Sequence, residues 1–423
     1  MSAPKPKIGI IHYTYPPVIG GVENLILTHA NYFANHGYSV TVFVSEGESN
    51  NKNVHLNFIP ELASLAKSNS ALRQKIISDN TYPTEFYTLS KSILASLEKY
   101  KDTFDILFAH NIFSLTFNPA IAHALITFQS LHPEKKIVAW THDVLLNDRE
   151  TNPKKRTYPN KEFENMLNSP IEGIHYVCIS SFLKNTFTNL LGFSENRLTV
   201  IPNAIDIHSF LQLHPLTQKI IADNNLLESD AVLFFPSKIM PHKNIELCLD
   251  ALFELKKKLT HPIMIISAKK FPHVATSSTY VQEIEERIKK LDLSNNVLFI
   301  SDELKALTPD EVMHVISDIY KLSDIALYPS KYENFGLPIL ESAITKTPII
   351  CSQLEVFQEV SDDKIYVIDN TTTTSTELSH IMITILTNDK EISLFRRVKN
   401  QFDISQVFRK KIVPYIDSLN KAF

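Results

Sequence analysis

The stretch Tyr328-Pro-Ser-Lys-Tyr-Glu333-Asn-Phe-Gly336-Leu-Pro338-Ile-Leu-Glu341-Ser-Ala follows an apolar run and leads into an amphipathic one. It predicts a strand that ends at Tyr328, a loop, and a helix with Pro338 in its first turn, where proline is favoured. The N–H groups of residues 335–337 would then point out of a helix N-terminus, which is a ready anion site. Gly336 is the one glycine that follows Gly192 in the sequence, and it would let a ligand approach the backbone closely.

Two carboxylates flank this predicted anion site, Glu333 in the loop and Glu341 about one turn into the helix. Carboxylates repel phosphate but accept hydrogen bonds, so they suit the hydroxyl groups of a sugar. The alternative is a plain helix start whose dipole is complemented by an acidic residue. Two glutamates on either side of an isolated glycine favour the functional interpretation.

A second stretch, Phe234-Phe-Pro-Ser-Lys238-Ile-Met-Pro-His-Lys243-Asn, also runs from a strand into a turn. It places two cations, Lys238 and Lys243, before a helix predicted to begin near Lys243. Cations at the start of a helix oppose its dipole, so their presence favours an anion bound between them and the helix. Solvated lysines on a loop are the alternative.

The first half of the chain has two comparable places. Gly20 and Gly21 lie in a loop after the first strand, and His142 directly follows a strand that ends at Trp140. The glycine pair is not the G-x-G-x-x-G dinucleotide fingerprint, and an ordinary turn and a structural histidine are the alternatives here. Ligands of open α/β sheets bind outside the carboxyl ends of strands. We therefore expect the four places to form one site.

The chain of 423 residues suits two domains. Continuous apolar strands that alternate with amphipathic helices indicate parallel sheets and an α/β fold. The predicted strands are 7–13, 39–44, 105–109, 136–140, 174–179 and 198–201, then 231–235, 262–266, 296–300, 324–328, 347–351 and 364–367. The predicted helices include 22–36, 181–191, 243–258, 278–291, 309–322 and 338–345, with two more in 62–101. A polar stretch at 203–230 marks the domain boundary.

Composition excludes some classes of protein. The formal net charge of −4 gives no strong field for nucleic acid, so no nucleic-acid partner is expected. The sequence has no run of 18 apolar residues, and membrane contact is not indicated. Cys178, Cys248 and Cys351 lie far apart, which is typical of buried free thiols in a reducing compartment. With no apolar signal segment at the N-terminus, we expect a cytoplasmic protein.

Together these motifs resemble family 4 of the retaining glycosyltransferases, the glycosyl transferases of group 1. The resemblance covers nearly the whole chain and implies the GT-B fold, in which two Rossmann-like domains face one another across a cleft. It implies an N-terminal acceptor domain at 1–205 and a C-terminal donor domain at 206–395. A C-terminal helix at 396–423 would pack back on the first domain. The segment from Ile201 to Asp206 resembles the family's Pro-Asn-Gly-Val-Asp, with Ala204 in place of glycine.

The resemblance also assigns roles to residues. Glu333 would contact the donor sugar, Glu341 the ribose hydroxyls, Lys243 a phosphate, and His142 the neighbourhood of the transferred sugar. Lys238 falls where the family usually has arginine, so a point charge would replace a bidentate contact. The implied catalytic residues are His142, Glu333 and Lys243. The implied donor-binding residues are Gly20, Gly21, Lys238, Lys243, Glu333, Asn334, Phe335, Gly336, Leu337 and Glu341.

The expected activity is that of a hexosyltransferase that moves a sugar from a nucleoside diphosphate donor to a polar hydroxyl acceptor, such as a sugar, a glycan or a glycosylated carrier. Glycosyl transfer passes through an oxocarbenium-like state while a diphosphate leaves. Lys238, Lys243 and the helix N-terminus could stabilise the leaving charge. The sequence has no Asp-x-Asp motif, so we expect neither a metal nor a cofactor. In similar enzymes the leaving phosphate is thought to act as the base.

The acceptor is expected on the first domain, at the loops after Gly21 and His142. The loop beyond His142 is rich in charge, which suits a polar acceptor, although a solvated surface loop is the alternative. Its charged residues are Asp143, Asp148, Arg149, Lys154, Lys155 and Arg156.

Three other functions are compatible with the pattern. The first is an inactive two-domain relative that binds a nucleotide or sugar without chemistry. The second is a nicotinamide dehydrogenase, which the missing fingerprint disfavours. The third is a sugar-nucleotide epimerase or a phosphorylase on the same architecture. The motifs leave open the base and sugar of the donor, the acceptor and the oligomeric state.

Overall fold

The computed structural model describes residues 4–147, 153–268 and 277–421. The chain forms two compact units. Unit 1 comprises Met1–Asp206 and Ile404–Phe423, and unit 2 comprises Ile207–Asp403.

Unit 1 is built on a parallel sheet of seven strands. These are β1 (Ile8–Ile11), β2 (Val40–Val44), β3 (Val54–Phe58), β4 (Ile106–His110), β5 (Lys136–Thr141), β8 (Ile174–Cys178) and β9 (Leu198–Val200). Their order in the sheet is β3-β2-β1-β4-β5-β8-β9. Two short strands, β6 (Leu146–Asn147) and β7 (Lys154–Lys155), form a separate antiparallel pair. The central strands are mostly apolar because helices cover both faces of the sheet; β1, β2 and β4 are buried at every position.

Before residue 207, seven α-helices accompany these strands in the part of the chain that the structure describes. They are α1 (Gly21–Asn35), α2 (Leu65–Ser68), α3 (Ser70–Ser78), α4 (Thr84–Lys99), α5 (Pro119–Leu131), α6 (Lys161–Asn168) and α7 (Ser181–Leu191). Two hydrophobic clusters lie in this unit, and Phe33 and Trp140 belong to one while Phe86 and Phe128 belong to the other.

Unit 2 has a parallel sheet of six strands. These are β10 (Ala231–Lys238), β11 (Pro262–Ala268), β12 (Val297–Phe299), β13 (Ile325–Tyr328), β14 (Ile349–Ser352) and β15 (Tyr366–Ile368). Their order is β12-β11-β10-β13-β14-β15. The helices of this unit are α8 (Ile207–Phe210), α9 (Pro215–Asn224), α10 (Ile245–Lys256), α11 (Ser277–Lys290), α12 (Pro309–Leu322), α13 (Leu337–Thr345), α14 (Glu355–Ser361), α15 (Ser375–Asn388) and α16 (Lys390–Gln401).

The chain returns to unit 1 at its C-terminal end through α17 (Ile404–Val407), a π-helical turn (Phe408–Ile412) and α18 (Val413–Lys421). Phe408 anchors this segment, with its ring centroid 5.0 Å from that of Phe33. The sequence predicted that the C-terminal segment returning to the first domain begins at residue 396, but residues 396–403 lie in unit 2. Arg396 explains the difference, since its guanidinium donates hydrogen bonds to the carbonyl oxygens of Leu386 and Asp230 within that unit.

All twelve predicted strands are present, and none of their ends differs from the prediction by more than three residues. The sequence did not predict β3, β6 or β7, and the region 62–101 holds three helices rather than two. The two parallel sheets with their helices confirm the predicted α/β class. That the two sheets face one another across a cleft stays a prediction.

Candidate functional site

Each sheet has a topological switch point, where the order of the strands reverses. In unit 1 it lies between β1 and β4, and in unit 2 between β10 and β13, which pair in parallel. Open α/β sheets bind ligands outside the carboxyl ends of strands at such a point. In unit 2, Lys238 ends β10 and the loop of Glu333 follows β13. The predicted donor residues of unit 2 therefore gather at its switch point.

Lys243 and Glu333 form an ion pair, with the ammonium Nζ donating to Oε1 of the carboxylate. Each side chain is only 15% exposed. Nζ also lies 5.2 Å from the centre of the Tyr328 ring, a cation–π distance. The loops after β10 and β13 are joined a second time by the backbone, where Lys331 N–H donates to the carbonyl of His242 at 2.7 Å. The two loops are thus held together as one structure.

The helix after Lys243 begins later than the sequence predicted. Lys243 ends a short 3-10 turn (Pro241–Lys243), Asn244 has a left-handed backbone with φ of 57°, and α10 starts at Ile245. The local reason is that a left-handed residue interrupts the helical hydrogen-bond pattern. Lys238 is the last residue of β10 and is exposed, rather than lying in the turn.

Glu333 is ionised in this environment. Burial acts to raise its pKa, but its polar neighbours, first Lys243 and then Ser330 and Tyr328, outweigh burial, so the pKa lies below its ordinary value. The neighbouring Tyr328 has a raised pKa, first because it is buried and then because it donates to Glu333. A charged carboxylate held by donors can accept further hydrogen bonds from hydroxyl groups.

Glu341 is oriented by a buried tyrosine. The hydroxyl of Tyr320 donates to Glu341 Oε2 at 2.9 Å. Tyr320 is itself fixed by an edge-to-face contact with Phe234, with ring centroids 4.8 Å apart. Burial, and next the charge of Glu341, raise the pKa of Tyr320, so it remains a donor. One carboxylate oxygen is therefore engaged, and a carboxylate has acceptor capacity for more than one partner.

Gly336 occupies a position that requires glycine. Its φ is 117°, a backbone conformation that side-chain-bearing residues rarely adopt. A Cβ at this residue would lie 3.0 Å from the ring of Phe357. Helix α13 starts directly after it at Leu337, one residue earlier than predicted. The other predicted members of this segment, Asn334, Phe335 and Leu337, are exposed.

In unit 1 the predicted glycine pair opens a helix. Gly20 is the N-cap with an extended backbone (φ −167°), and Gly21 is the first residue of α1, although the sequence placed both in a loop. The carboxylate of Glu23 folds back against Gly20, in the space that a Cβ would occupy. The absence of a side chain at Gly20 lets this acidic residue sit at the start of the helix, where its charge complements the dipole.

His142 is a buried, neutral imidazole. Its Nε2 lies 2.9 Å from Nδ1 of His110, and the two rings stack with centroids 5.2 Å apart. Burial lowers the pKa of His142 to about 3; the charges of His29 and His12 also lower it, and Asn203 acts in the opposite direction. A neutral imidazole can donate or accept a hydrogen bond but does not deliver a proton as imidazolium at neutral pH. The predicted contact of His142 with the transferred sugar stays a prediction.

The sequence reasoning did not single out His12 and Glu23, which lie beside the first strand. His12 follows β1 directly, and its Nε2 is 3.7 Å from Glu23 Oε1. The hydroxyl of Thr14 donates to the same oxygen at 2.8 Å. The neighbouring imidazole of His12 is the main reason that the pKa of Glu23 is lowered to about 2. The position of His12 at a strand end was the available signal.

Asn111 was also missed, although it positions the loop of His142. Its side-chain oxygen accepts from the backbone N–H of His142 at 2.8 Å and of Asp143 at 3.1 Å. Asn111 has a left-handed backbone, with φ of 56°, which asparagine tolerates better than most residues. It follows β4 directly, so the same strand-end signal applies.

A cavity of about 630 Å³ opens in unit 1 beside His142. One wall is the loop after β5, with Asp143 and Val144, and the other is helix α7. Lys154 and Lys155 of the predicted acceptor loop form the exposed strand β7 and are not in this lining. Asp148 and Arg149 lie outside the described residues.

Other expectations concern metals, membranes and thiols. Over residues 4–147, 153–268 and 277–421, no three His, Cys, Asp or Glu side chains are grouped as metal ligands. Within the same part of the chain, no helix combines the length and apolarity needed to cross a bilayer. Cys178, Cys248 and Cys351 are free and buried. Burial raises the pKa of Cys178 to about 12.

Comparison with known proteins now fixes the class. Residues 19–209 match the sequence model described as Glycosyltransferase Family 4, and residues 217–401 match the one described as Glycosyl transferases group 1. The chain belongs to the family 4 glycosyltransferases.

The similar proteins include two enzymes with the same name. The chain is 27% identical to the mannosylglucosylglycerate synthase of Petrotoga mobilis, over 71% of this chain and 73% of that protein. It is 22% identical to the mannosylglucosylglycerate synthase of Thermotoga maritima, over 62% of this chain and 60% of that protein. Among solved structures, a glycosyltransferase from Rickettsia africae is 18% identical with a TM-score of 0.39, covering 98% of this chain and all of that one.

Proposed function

We propose that this protein is a retaining, metal-independent hexosyltransferase that moves a sugar from a nucleoside diphosphate donor to a hydroxyl acceptor. The observation that carries the proposal is the Lys243–Glu333 pair, held beside the N-terminus of α13 at the switch point of unit 2. It places a cation, a carboxylate and a helix N-terminus within one pair of joined loops. A diphosphate and a sugar need these three groups.

In this proposal unit 2 binds the donor. Lys243, Lys238 and the N–H groups of Gly336 and Leu337 at the start of α13 bind the diphosphate, because N–H groups at a helix N-terminus precede the helical hydrogen-bond pattern. Glu341 accepts hydrogen bonds from the ribose hydroxyls and is oriented for this by Tyr320. Glu333 accepts hydrogen bonds from the hydroxyls of the sugar, and its lowered pKa keeps it ionised for that purpose.

The chemical step breaks the bond between the anomeric carbon and the leaving phosphate oxygen, and forms a bond from the same face to the acceptor oxygen. The acceptor's proton passes to an oxygen of the leaving diphosphate, so no protein carboxylate need act as base. Lys243 and the dipole of α13 stabilise the negative charge that develops on the leaving group. This is the role that a divalent metal would otherwise fill.

Unit 1 binds the acceptor in this proposal, and the cavity beside His142 supports the assignment. Its volume lies within the usual range for small-molecule sites. Mannose is the first sugar to test, because both similar synthases are named for a mannosyl product.

The test is binding followed by product analysis. Thermal unfolding is measured with UDP, GDP and ADP, and a diphosphate at about 100 times its Kd should stabilise the protein by about 2.7 kcal/mol. Lys243→Met should abolish the stabilisation, and Lys290→Ala, which removes an exposed lysine of α11, should keep it. Mass spectrometry of products from UDP- and GDP-linked mannose and glucose then identifies transfer. No stabilisation by any of the three diphosphates would show that the donor site is misassigned.

A further inference from the structure

One face of helix α7 carries an exposed aromatic ring beside polar side chains. Phe182, in the first turn, is 80% exposed. Asn185 and Asn189 are also exposed, and all three line the cavity beside His142. Residues three, four and seven positions apart lie on the same face of a helix. The ring and the two carboxamides therefore form one continuous wall of the cavity.

Folding of the helix does not account for this exposed ring. The core face of α7 is supplied by other residues, Leu183, Phe187 and Leu191, which are buried. Ser180 caps the helix, its hydroxyl oxygen accepting from Leu183 N–H at 3.1 Å. Each Å² of apolar surface that stays in water, such as that of an exposed phenyl ring, costs about 25 cal/mol of free energy. A ligand that covers the ring recovers this free energy.

The wall has the chemistry that recognises a sugar ring. A pyranose is amphipathic, since one face presents C–H groups that pack on an aromatic ring while its edge presents hydroxyls. A carboxamide both donates and accepts, which matches the hydroxyl groups of a sugar edge. The lining also contains Asp143, whose carboxylate would repel a phosphate or carboxylate ligand.

We propose that this cavity is a subsite for a pyranose unit of the acceptor, with Phe182 as its stacking platform and Asn185 and Asn189 as hydrogen-bonding partners. The inference rests on the proposed transfer reaction, because it names the acceptor as a glycoside or glycan. His142 lines the same cavity, so the subsite is continuous with the predicted site residues of unit 1.

The experiment measures glycoside binding without any donor, by saturation-transfer NMR with methyl α-mannopyranoside and methyl α-glucopyranoside. Phe182→Ala should weaken binding at least about tenfold, the equivalent of about 1.4 kcal/mol. Phe182→Trp should retain binding because it keeps an aromatic face. Phe210→Ala is the matched control, since it removes an equally exposed phenylalanine of unit 2 (72% exposed).

The proposal is overturned if neither glycoside binds, or if Phe182→Ala and Phe210→Ala bind them equally well. Asn189→Ala should weaken binding as well, without changing the fold, because the side chain is exposed. Release of nucleoside diphosphate from a donor without acceptor tests the proposed function separately. If Phe182→Ala binds the glycosides as well as the unsubstituted protein does and still hydrolyses the donor, the proposed subsite is wrong and the proposed function is not affected.

Discussion

Unit 1 should lose stability in mild acid, because histidines inside it are buried and neutral. His29 is 1% exposed and His142 is 9% exposed. Burial lowers the pKa of His29 to about 4 and that of His142 to about 3, from an ordinary 6.5. Burial also lowers the pKa of His110. In the unfolded chain these imidazoles are in water and take up protons as the pH falls below 6.5.

The unfolded state thus binds more protons in mild acid, so the free energy of unfolding falls as the pH falls. The stabilisation is fully present above about pH 7.5 and is lost progressively down to the folded pKa values. A pH of about 5 lies about 1.5 units below 6.5, and each pH unit is worth about 1.36 kcal/mol for one titrating group. Each of His29 and His142 therefore lowers the free energy of unfolding by about 2 kcal/mol at that pH. Their sum is about 4 kcal/mol, a large part of a typical domain's stability.

The assay is urea unfolding at about pH 8, 7, 6 and 5, followed by tryptophan fluorescence. Trp140 is the single tryptophan and lies 5.1 Å from His29, ring centre to ring centre, so the signal reports on unit 1. His29→Phe keeps an aromatic ring but cannot titrate, and it should remove about 2 kcal/mol of the loss between about pH 8 and pH 5. His55→Gln, at an exposed position of β3, is the control and should leave the loss as it is.

Two results would refute this reasoning. One is a stability of unit 1 that does not change between about pH 8 and pH 5. The other is an equal loss in His29→Phe and in the unsubstituted protein, which would mean that His29 is not the buried neutral group. Glu23 does not confuse the comparison, because its pKa is lowered from 4.5 to about 2, so its contribution is lost mainly below about pH 5, outside the range of the assay.

Activity should survive EDTA, because Lys243 and α13 are proposed to stabilise the leaving group; complete loss restored by Mn²⁺ would contradict this. Glu341→Ala should weaken diphosphate binding about tenfold, a loss of about 1.4 kcal/mol. Glu333→Ala should keep or tighten diphosphate binding, because it releases Lys243, and it should reduce turnover. Equal losses of diphosphate affinity in the two variants would overturn these roles. Gly336→Ala should destabilise unit 2 by about 1–3 kcal/mol in thermal unfolding, owing to its φ of 117°; an unchanged melting temperature would disagree. Replacing residues 154–156 by alanine should leave the acceptor KM and donor hydrolysis unchanged, because Lys154 and Lys155 are not in the lining of the cavity beside His142; a raised KM would place this basic run in the site.

The loops of unit 2 could be predicted because their signals are local. An apolar run, a loop with an isolated glycine and a proline before an amphipathic run define a strand, a turn and a helix start without any tertiary information. The structure places Gly336 and α13 within one residue of that prediction. By contrast, the left-handed Asn244 gives no comparable signal, and the start of α10 was placed two residues too early.

The buried histidines of unit 1 (His12, His29, His110 and His142) form a cluster that could not be predicted, because it depends on strand order. His12 and His110 come from strands about 100 residues apart in sequence, and they meet because β1 pairs with β4. His110 meets His142 because β4 pairs with β5, with His110 opposite Trp140. The strand-end positions were visible in the sequence, but which strands are neighbours was not.

Strand β3 was missed for a different reason. It lies at the edge of the sheet and is partly exposed, so its sequence, Val-His-Leu-Asn-Phe, mixes polar and apolar residues. The predicted strands β1, β2 and β4 lie inside the sheet and are buried at every position, which gives them mostly apolar sequences. The pair β6 and β7 has two residues in each strand, too few for any periodic pattern.

The Lys243–Glu333 pair changes how donor binding should be understood. The sequence assigned these residues to different parts of the donor, the phosphate and the sugar, whereas in the structure they neutralise each other. On the proposed roles, a diphosphate alone draws Lys243 away and leaves the partly buried Glu333 with fewer donors, which costs free energy. The complete nucleotide sugar replaces the lost donor with sugar hydroxyls. The pair therefore favours the intact donor over the product diphosphate, and it helps the product to leave once the sugar has been transferred.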